Sequence, residues 1–248
     1  MKKNTLNRVI TIMATLVTIG VNALANILPL NGLNTGEISD RFEIYFVPAG
    51  YVFSIWGLIY LGLIVYTVFQ ALPSQAENSQ LQRIAPYYWV GSLANTIWIF
   101  LWHYEVFSLT LIAMFAILIT LLMINRSLAQ SEGATKWLAK LPFSIYLGWI
   151  SVATIANVSQ FLYFYNWSGW GIDASVWAVL MLSVATLLGI LMVWRENDLP
   201  YLLVLIWAFV GITVSQASAA AVVNAAWVGV VVLALAGLGS VIKNKKIS

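Results

Sequence analysis

The sequence has no cysteine, one histidine and few charged residues. The lack of cysteine excludes disulfides, thiolate-bound iron–sulfur clusters and cysteine nucleophiles. The lone histidine, His103, has no second histidine or cysteine with which to share a metal, so we expect an interfacial histidine at a helix end. Charged residues make up 8% of the chain, against about 25% in a soluble domain, and 61% of residues are hydrophobic. This composition predicts an integral membrane protein without a bound metal or other cofactor.

Several kinds of catalytic and coupling chemistry are also missing. The chain has no Ser/His/Asp set and no glycine-rich phosphate loop, which excludes the familiar hydrolases and kinases. No lysine lies within an apolar run, so a retinal Schiff base is excluded. No acid lies near the centre of a run, where ion-coupled pumps usually need one. The 12 Lys and Arg residues form no exposed stripe, so we expect no nucleic acid partner. No residue is predicted to be catalytic.

Apolar runs predict an all-α fold, a polytopic membrane bundle of about eight transmembrane helices. A spanning helix needs roughly 20 apolar residues. The first run is long enough to span, so we interpret it as a retained helix and not as a cleaved signal peptide. The last two runs are nearly fused and too long for one span, so we place a hairpin at 215–218. The runs lie at about residues 8–30, 49–72, 86–104, 106–127, 140–162, 174–194, 199–217 and 221–242.

The basic residues predict the orientation of the bundle. With eight spans and a cytoplasmic N-terminus, every Lys and Arg except Arg41 falls on the inner side. Seven spans would place the basic C-terminal tail outside, against the positive-inside rule. We therefore expect a multi-pass protein integral to the cell membrane, with both termini in the cytoplasm.

Two outer loops stand out. The longer one, Asn31 to Val47, carries acids and aromatic residues and is either a lid over a binding site or a plain connector. The segment Tyr163 to Trp170 is rich in aromatic residues. Such segments are typical of the membrane interface, so we expect Trp170 to lie there.

The fifth predicted helix carries a stripe of aromatic and amide side chains at steps of three and four, which places them on one helix face. An amide that faces lipid would be costly, so the stripe should face other helices or a cavity. The stripe consists of Tyr146, Trp149, Ala153, Asn157 and Gln160.

Aromatic, amide and other small or polar residues recur on one face of each of the first three helices. Of these, Asn22, Asn26, Trp56, Tyr60, Asn95 and Trp98 are expected at mid-depth or in the outer half of the membrane. Residues of this kind often serve only helix packing. Together they would also suit a cavity with aromatic walls and a few convergent polar groups, a site for a flat hydrophobic ligand. The group comprises Asn22, Asn26, Phe53, Trp56, Tyr60, Thr67, Gly91, Asn95, Trp98 and Trp102.

The sequence resembles the tryptophan-rich sensory protein family, which includes the mitochondrial translocator protein. The family's fifth helix reads roughly PYLxWxxFATxLN, and this chain matches it at Tyr, Leu, Trp, Ala, Thr and Asn, with Ile145 in place of the proline. Asn95 and Trp98 keep the spacing of the third-helix motif. The second-helix motif is similar at Pro48, Phe53, Trp56 and Tyr60, although Tyr51 replaces its tryptophan and one residue is missing between Phe53 and Trp56.

The resemblance covers about residues 8–162, the usual length of a five-helix member. It implies a five-helix bundle over residues 1–165, capped by the loop after the first helix, and three additional helices over residues 166–248. It also implies binding of a porphyrin, or of a sterol-like molecule as in some members. The ligand-binding residues that we expect are Trp56, Tyr60, Asn95, Trp98, Tyr146, Trp149 and Asn157.

Three functions stay open at this point. The leading one is a membrane sensor or binding protein for a tetrapyrrole or similar flat lipophile. A transporter of small hydrophobic solutes is the second. The third is an enzyme, since some bacterial members of the family are reported to degrade protoporphyrin in light. The expected partners are the hydrophobic ligand and the lipid bilayer, and a homodimer is left open.

Overall fold

The computed structural model describes residues 2–28 and 30–245. It is 84% helical, and no strand occurs in the residues described. A π-helical turn, Lys136–Lys140, joins the short α6 to α7. The α-helices are α1 (Lys2–Ile27), α2 (Thr35–Asp40), α3 (Ile55–Ala71), α4 (Ser79–His103), α5 (Phe107–Ser127), α6 (Gly133–Thr135), α7 (Leu141–Phe164), α8 (Ala174–Arg195), α9 (Leu199–Ser215) and α10 (Ala220–Lys245).

The eight long helices in this described part correspond to the eight predicted runs. Six regions are long and apolar enough to cross a membrane. Of the other two helices, α4 is rich in tyrosine, tryptophan and polar side chains, and α9 is apolar but shorter. The predicted polytopic all-α membrane bundle is confirmed. The six regions are Thr5–Ile27, Gly50–Ala71, Phe107–Ser127, Gly133–Phe164, Ala174–Arg195 and Ala220–Lys243.

Two helix boundaries show how local sequence sets the ends. The helix expected from residue 86 begins at Ser79, because the side chain of Asn78 caps it and accepts hydrogen bonds from the backbone N–H groups of Gln80 and Leu81. The proline at position 86 lies inside that helix. The hairpin predicted at 215–218 is confirmed, since α9 ends at Ser215 and α10 begins at Ala220.

The loop after α1 contains a helix of its own. Asn34 caps α2 by accepting from the N–H groups of Gly36 and Glu37, and the Glu37 carboxylate accepts in return from the Asn34 N–H. This reciprocal capping box stabilises a helix as short as α2. A 3₁₀ turn at Gly50–Ser54 follows and leads into α3.

The chain folds as two compact units. The first comprises the described residues up to Arg41 together with Trp56–Ile150, and in it α1 and α5 pack against α4. The second comprises Phe42–Ile55 and the described residues from Ser151 onward. In the second unit α8, α9 and α10 pack against one another, and the 3₁₀ turn packs against α9. The division at residue 165 inferred from the resemblance stays a prediction.

In the second unit, Gly211 of α9 allows close approach of the chain before α3. The N–H of Ala49 donates to the Gly211 carbonyl at 3.1 Å, and the indole N–H of Trp207 donates to the Val52 carbonyl at 3.2 Å. A Cβ atom at position 211 would overlap Val52 Cγ2 and lie 3.0 Å from Pro48 Cβ. Only glycine fits here without a shift of its neighbours.

The orientation in the membrane stays a prediction. It draws in part on Lys246, which lies outside the described residues. The basic residues in the described part fall near helix ends and in loops, as the predicted topology requires.

Candidate functional site

Trp56 lies at the centre of a cluster of four aromatic rings in the first unit. It stacks with Tyr60, one turn further along α3, with ring centroids 5.4 Å apart and planes inclined at 24°. Two rings of α7 meet it at steep angles, Tyr146 at a centroid distance of 5.9 Å and Trp149 at 6.3 Å. The helical steps of four and three place each pair on one face, which is why two helices suffice to assemble the cluster.

The four rings differ in exposure. Trp149 is 2% exposed and Tyr146 is 5% exposed, so both form the back of the cluster. Trp56 and Tyr60 are only partly buried and keep some surface that another molecule can contact. Trp56 and Tyr60 thus form a partly exposed aromatic wall, and Tyr146 and Trp149 pack behind it.

Two amide side chains, from α4 and α1, are hydrogen-bonded in series to the Tyr146 hydroxyl of the cluster. Asn95 of α4 donates to the hydroxyl oxygen of Tyr146 at 3.0 Å. Asn22 of α1 donates to Asn95 Oδ1 at 2.7 Å and to the Thr18 carbonyl at 2.9 Å. Asn22 and Asn95 are each 2% exposed. Buried amides are costly unless they are hydrogen-bonded, and these two are.

A hydroxyl cluster nearer the start of α1 was not anticipated from the sequence. Thr15 donates to the Thr11 carbonyl at 2.9 Å, and its oxygen lies 2.6 Å from both Thr67 Oγ1 and Tyr88 Oη. Because Thr15 has one proton, Thr67 and Tyr88 donate to it. The signal was present in the sequence: polar residues at 11, 15, 18 and 22 recur at steps of four and three in an otherwise apolar helix.

Trp98 belongs to a second aromatic group, at the end of α4. It stacks on Trp102 with centroids 5.1 Å apart and planes at 18°. Trp102 in turn lies edge-on to Phe107, at 5.4 Å, and its indole N–H donates to the carbonyl of Thr35 at 3.2 Å. The predicted residue Trp98 thus connects through Trp102 to the loop after α1.

His103 fastens the same loop. Its Nδ1 lies 3.1 Å from the Leu30 carbonyl and its Nε2 lies 3.1 Å from Thr35 Oγ1, while its own carbonyl accepts from Asn31 at 3.0 Å. A carbonyl only accepts, so Nδ1 carries the proton toward Leu30. An ion pair of 2.8 Å between Arg41 and Glu105 adds a further contact. The segment 30–41, the first part of the predicted lid, is therefore held against the end of α4.

His103 ends α4, as expected, and its depth in the membrane stays a prediction. The side chain is 1% exposed, because the loop after α1 folds back over it. Both ring nitrogens contact groups of that loop. We therefore regard His103 as a residue that holds the loop after α1 against the end of α4.

A family model described as TSPO-like protein matches residues 8–239. The chain belongs to this family. The resemblance recognised from the helix motifs is confirmed, and the match continues past residue 162, the end of the stretch that the resemblance covered, into α10. A search of curated proteins and a search of solved structures each found no match.

Of the seven site residues predicted for this TSPO-like chain, six lie in the first unit. Trp56, Tyr60, Tyr146 and Trp149 form the cluster, and Asn95 is hydrogen-bonded to it. Asn157 lies on the part of α7 that belongs to the second unit, where it is 2% exposed. Its role in binding stays a prediction, as does that of the other six.

The second half of the predicted lid is held within the second unit of the TSPO-like chain. The hydroxyl of Ser215 donates to the Val47 carbonyl at 2.6 Å, and the amide of Gln216 donates to the Ile44 carbonyl at 3.2 Å. Both donors lie at the end of α9. Each half of the loop therefore has its own attachment.

The aromatic segment at the end of α7 is largely open. Trp170 is 77% exposed, and its ring lies 5.4 Å from that of Trp167 and 5.9 Å from that of Trp177. It belongs to the second unit, so it serves as a reference tryptophan outside the cluster. No group of three or more His, Cys, Asp or Glu side chains in the described chain could hold a metal ion.

Proposed function

We propose that this TSPO-like membrane protein binds a flat hydrophobic molecule, a porphyrin or a sterol-like compound, against the wall formed by Trp56 and Tyr60. The observation that carries the proposal is the cluster itself, four aromatic rings from two helices with one hydrogen-bonded amide beside them. Binding sites for small apolar ligands commonly combine aromatic walls with few, well-placed polar groups.

The partial exposure of Trp56 and Tyr60 supports a ligand that approaches from their side of the cluster. Trp56 and Tyr60 are stacked and partly exposed, so a planar molecule could extend the stack or cover it. Tyr146 and Trp149 are buried behind them and hold the Trp56 ring at a fixed angle. A rigid wall lowers the entropy cost of binding, because its side chains are already ordered.

The segment 30–41 supports a role for the loop as a cap. Its contacts to His103, Trp102 and Glu105 are specific hydrogen bonds and one ion pair, each of which can break without unfolding a helix. The buried side chain of His103, at the end of α4, makes two contacts to the loop that a plain connector would not require. The loop is thus suited to control how fast a ligand leaves.

The test is a titration of the purified protein in detergent with protoporphyrin IX, followed by the absorbance of the porphyrin. Saturable binding with one site per chain supports the proposal, and the lack of saturation would contradict it. Two further measurements separate the other functions. Product analysis after illumination detects porphyrin degradation, and counterflow uptake into proteoliposomes detects transport.

A further inference from the structure

The hydrogen bonds that lead from α1 to Tyr146 have a fixed direction. Asn22 Nδ2 lies 2.9 Å from the Thr18 carbonyl, which can only accept, so Asn22 must present its NH₂ group there. The same nitrogen lies 2.7 Å from the side-chain amide of Asn95. Asn95 must therefore present its oxygen to Asn22.

This direction determines which end of Asn95 faces Tyr146. With its oxygen turned toward Asn22, Asn95 presents its NH₂ to the tyrosine and donates at 3.0 Å. The opposite orientation would place two NH₂ groups 2.7 Å apart. The Tyr146 oxygen consequently accepts from Asn95, and the hydroxyl proton of Tyr146 cannot be given to that amide.

The Tyr146 proton is thus available as a donor. Tyr146 is 5% exposed, and within the described chain Asn95 is the hydrogen-bond partner of its hydroxyl. Buried hydroxyl groups nearly always use their hydrogen-bonding capacity. The phenol belongs to the aromatic cluster, with its ring centroid 5.9 Å from that of Trp56. The donor therefore belongs to a ring that packs directly against Trp56, one of the two rings of the proposed wall.

We propose that Tyr146 donates a hydrogen bond from its hydroxyl group to an oxygen acceptor on the ligand. Asn22 is the positioning residue: it holds Asn95 with the NH₂ group toward Tyr146, so that the tyrosine oxygen accepts and its proton is left for the ligand. The inference rests on the proposed function and narrows the ligand class. A flat hydrophobic molecule that carries a carbonyl or carboxylate oxygen is preferred over one of the same shape without an acceptor.

The test compares two porphyrins with the same macrocycle, protoporphyrin IX, which carries carboxylates, and etioporphyrin, whose periphery is alkyl only. Tyr146→Phe should weaken protoporphyrin binding about 3- to 10-fold, the value of one hydrogen bond, and leave etioporphyrin binding unchanged. Asn22→Leu should reproduce this selective loss, because the released Asn95 can turn and accept the Tyr146 proton. The double variant should lose no more than either single variant.

Asn26→Leu is the matched control. Asn26 lies one turn beyond Asn22 on α1, is exposed, and donates to the Asn22 carbonyl at 2.8 Å without reaching Asn95. This variant should keep the wild-type ratio of protoporphyrin IX affinity to etioporphyrin affinity, because it leaves the Asn22–Asn95–Tyr146 hydrogen bonds in place. If Asn22→Leu fails to fold, the comparison of the two porphyrins on Tyr146→Phe still decides whether the tyrosine is a donor.

The outcomes separate this inference from the proposed function. Equal losses for the two porphyrins would show that Tyr146 and Asn22 serve packing only, which would overturn the inference and leave the proposed function intact. No loss in either variant would overturn it as well. Wild-type protein that binds neither porphyrin would contradict the proposed function and the inference together.

Discussion

The indole of Trp149 meets that of Trp56 edge-on, with ring centroids 6.3 Å apart and planes inclined at 81°. This T-shaped geometry directs the positive edge of one ring at the negative face of the other, which favours one relative orientation. Trp149 is 2% exposed and comes from α7, while Trp56 is partly exposed and comes from α3. The contact therefore joins two helices and fixes the ring that a ligand would meet.

The first prediction concerns Trp149 as a buried support. Trp149→Phe keeps a ring but removes indole area and leaves a cavity, so it should lower the stability of the folded protein by about 1–2 kcal/mol. Thermal unfolding in detergent measures the effect. Trp170→Phe, at a 77% exposed position, should leave the melting temperature unchanged. Equal melting temperatures for both variants would mean that the Trp56–Trp149 contact contributes little.

The second prediction concerns the loop after α1. His103→Leu removes two contacts that hold the segment 30–41, so the porphyrin off-rate should rise by about 5-fold for each hydrogen bond that contributes. Stopped-flow displacement measures the off-rate. Tyr104→Leu, at the neighbouring 61% exposed residue, is the control and should dissociate as the wild type does. An unchanged off-rate in His103→Leu would make the loop a plain connector.

Much of the aromatic cluster was predictable because it follows helical spacing. The steps of three and four that place Tyr146 and Trp149 together on α7, and Trp56 and Tyr60 together on α3, are properties of one helix each and can be read from the sequence. The contact between Asn22 and Asn95 could not be predicted in the same way. Both amides were recognised, but their pairing depends on the register between α1 and α4, which packing decides.

The errors have similar physical causes. A histidine at a helix end between two aromatic residues has the same sequence whether it faces headgroups or a loop that folds back, so the burial of His103 was missed. The start of α4 was placed too late because the apolar run begins at Pro86, while the helix begins where Asn78 caps a polar first turn. The helix α2 was not predicted because it contains no apolar run, although the residues from Asn34 to Glu37 carry the sequence pattern of a capping box.

The third prediction concerns the orientation in the membrane. The chain has no native cysteine, so single introduced cysteines can be labelled without background. Cysteine in place of the exposed residues Asp40 or Ser168 should react with impermeant reagents applied outside intact cells, and cysteine in place of Ser74 only after the membrane is opened. Labelling of Ser74→Cys from outside would contradict the predicted orientation, in which the N-terminus is cytoplasmic.

The fourth prediction concerns two glycines with different surroundings. Gly211→Ala places a methyl group against Val52 and Pro48, so it should destabilise the protein by about 1–3 kcal/mol through overpacking. Gly57→Ala adds a methyl on α3 with no neighbour within 4 Å, and it should be neutral or stabilise the helix by up to about 1 kcal/mol. The melting temperature should fall in Gly211→Ala and stay unchanged or rise in Gly57→Ala. A tolerated alanine at position 211 would show that the turn before α3 does not pack closely on α9.

The affinity for protoporphyrin IX of Trp56→Phe against Trp170→Phe tests the binding site most directly. Trp56 is the ring shared by all three contacts of the cluster, whereas Trp170 lies in the other unit at 77% exposure. Both variants should first be shown to be folded, by wild-type helix content and a cooperative thermal transition. We expect Trp56→Phe to bind about 3- to 30-fold more weakly, because indole area against the ligand is lost, and Trp170→Phe to bind as the wild type does. Equal affinities for both variants would contradict the assignment of the cluster as the ligand site and leave its residues a role in helix packing alone.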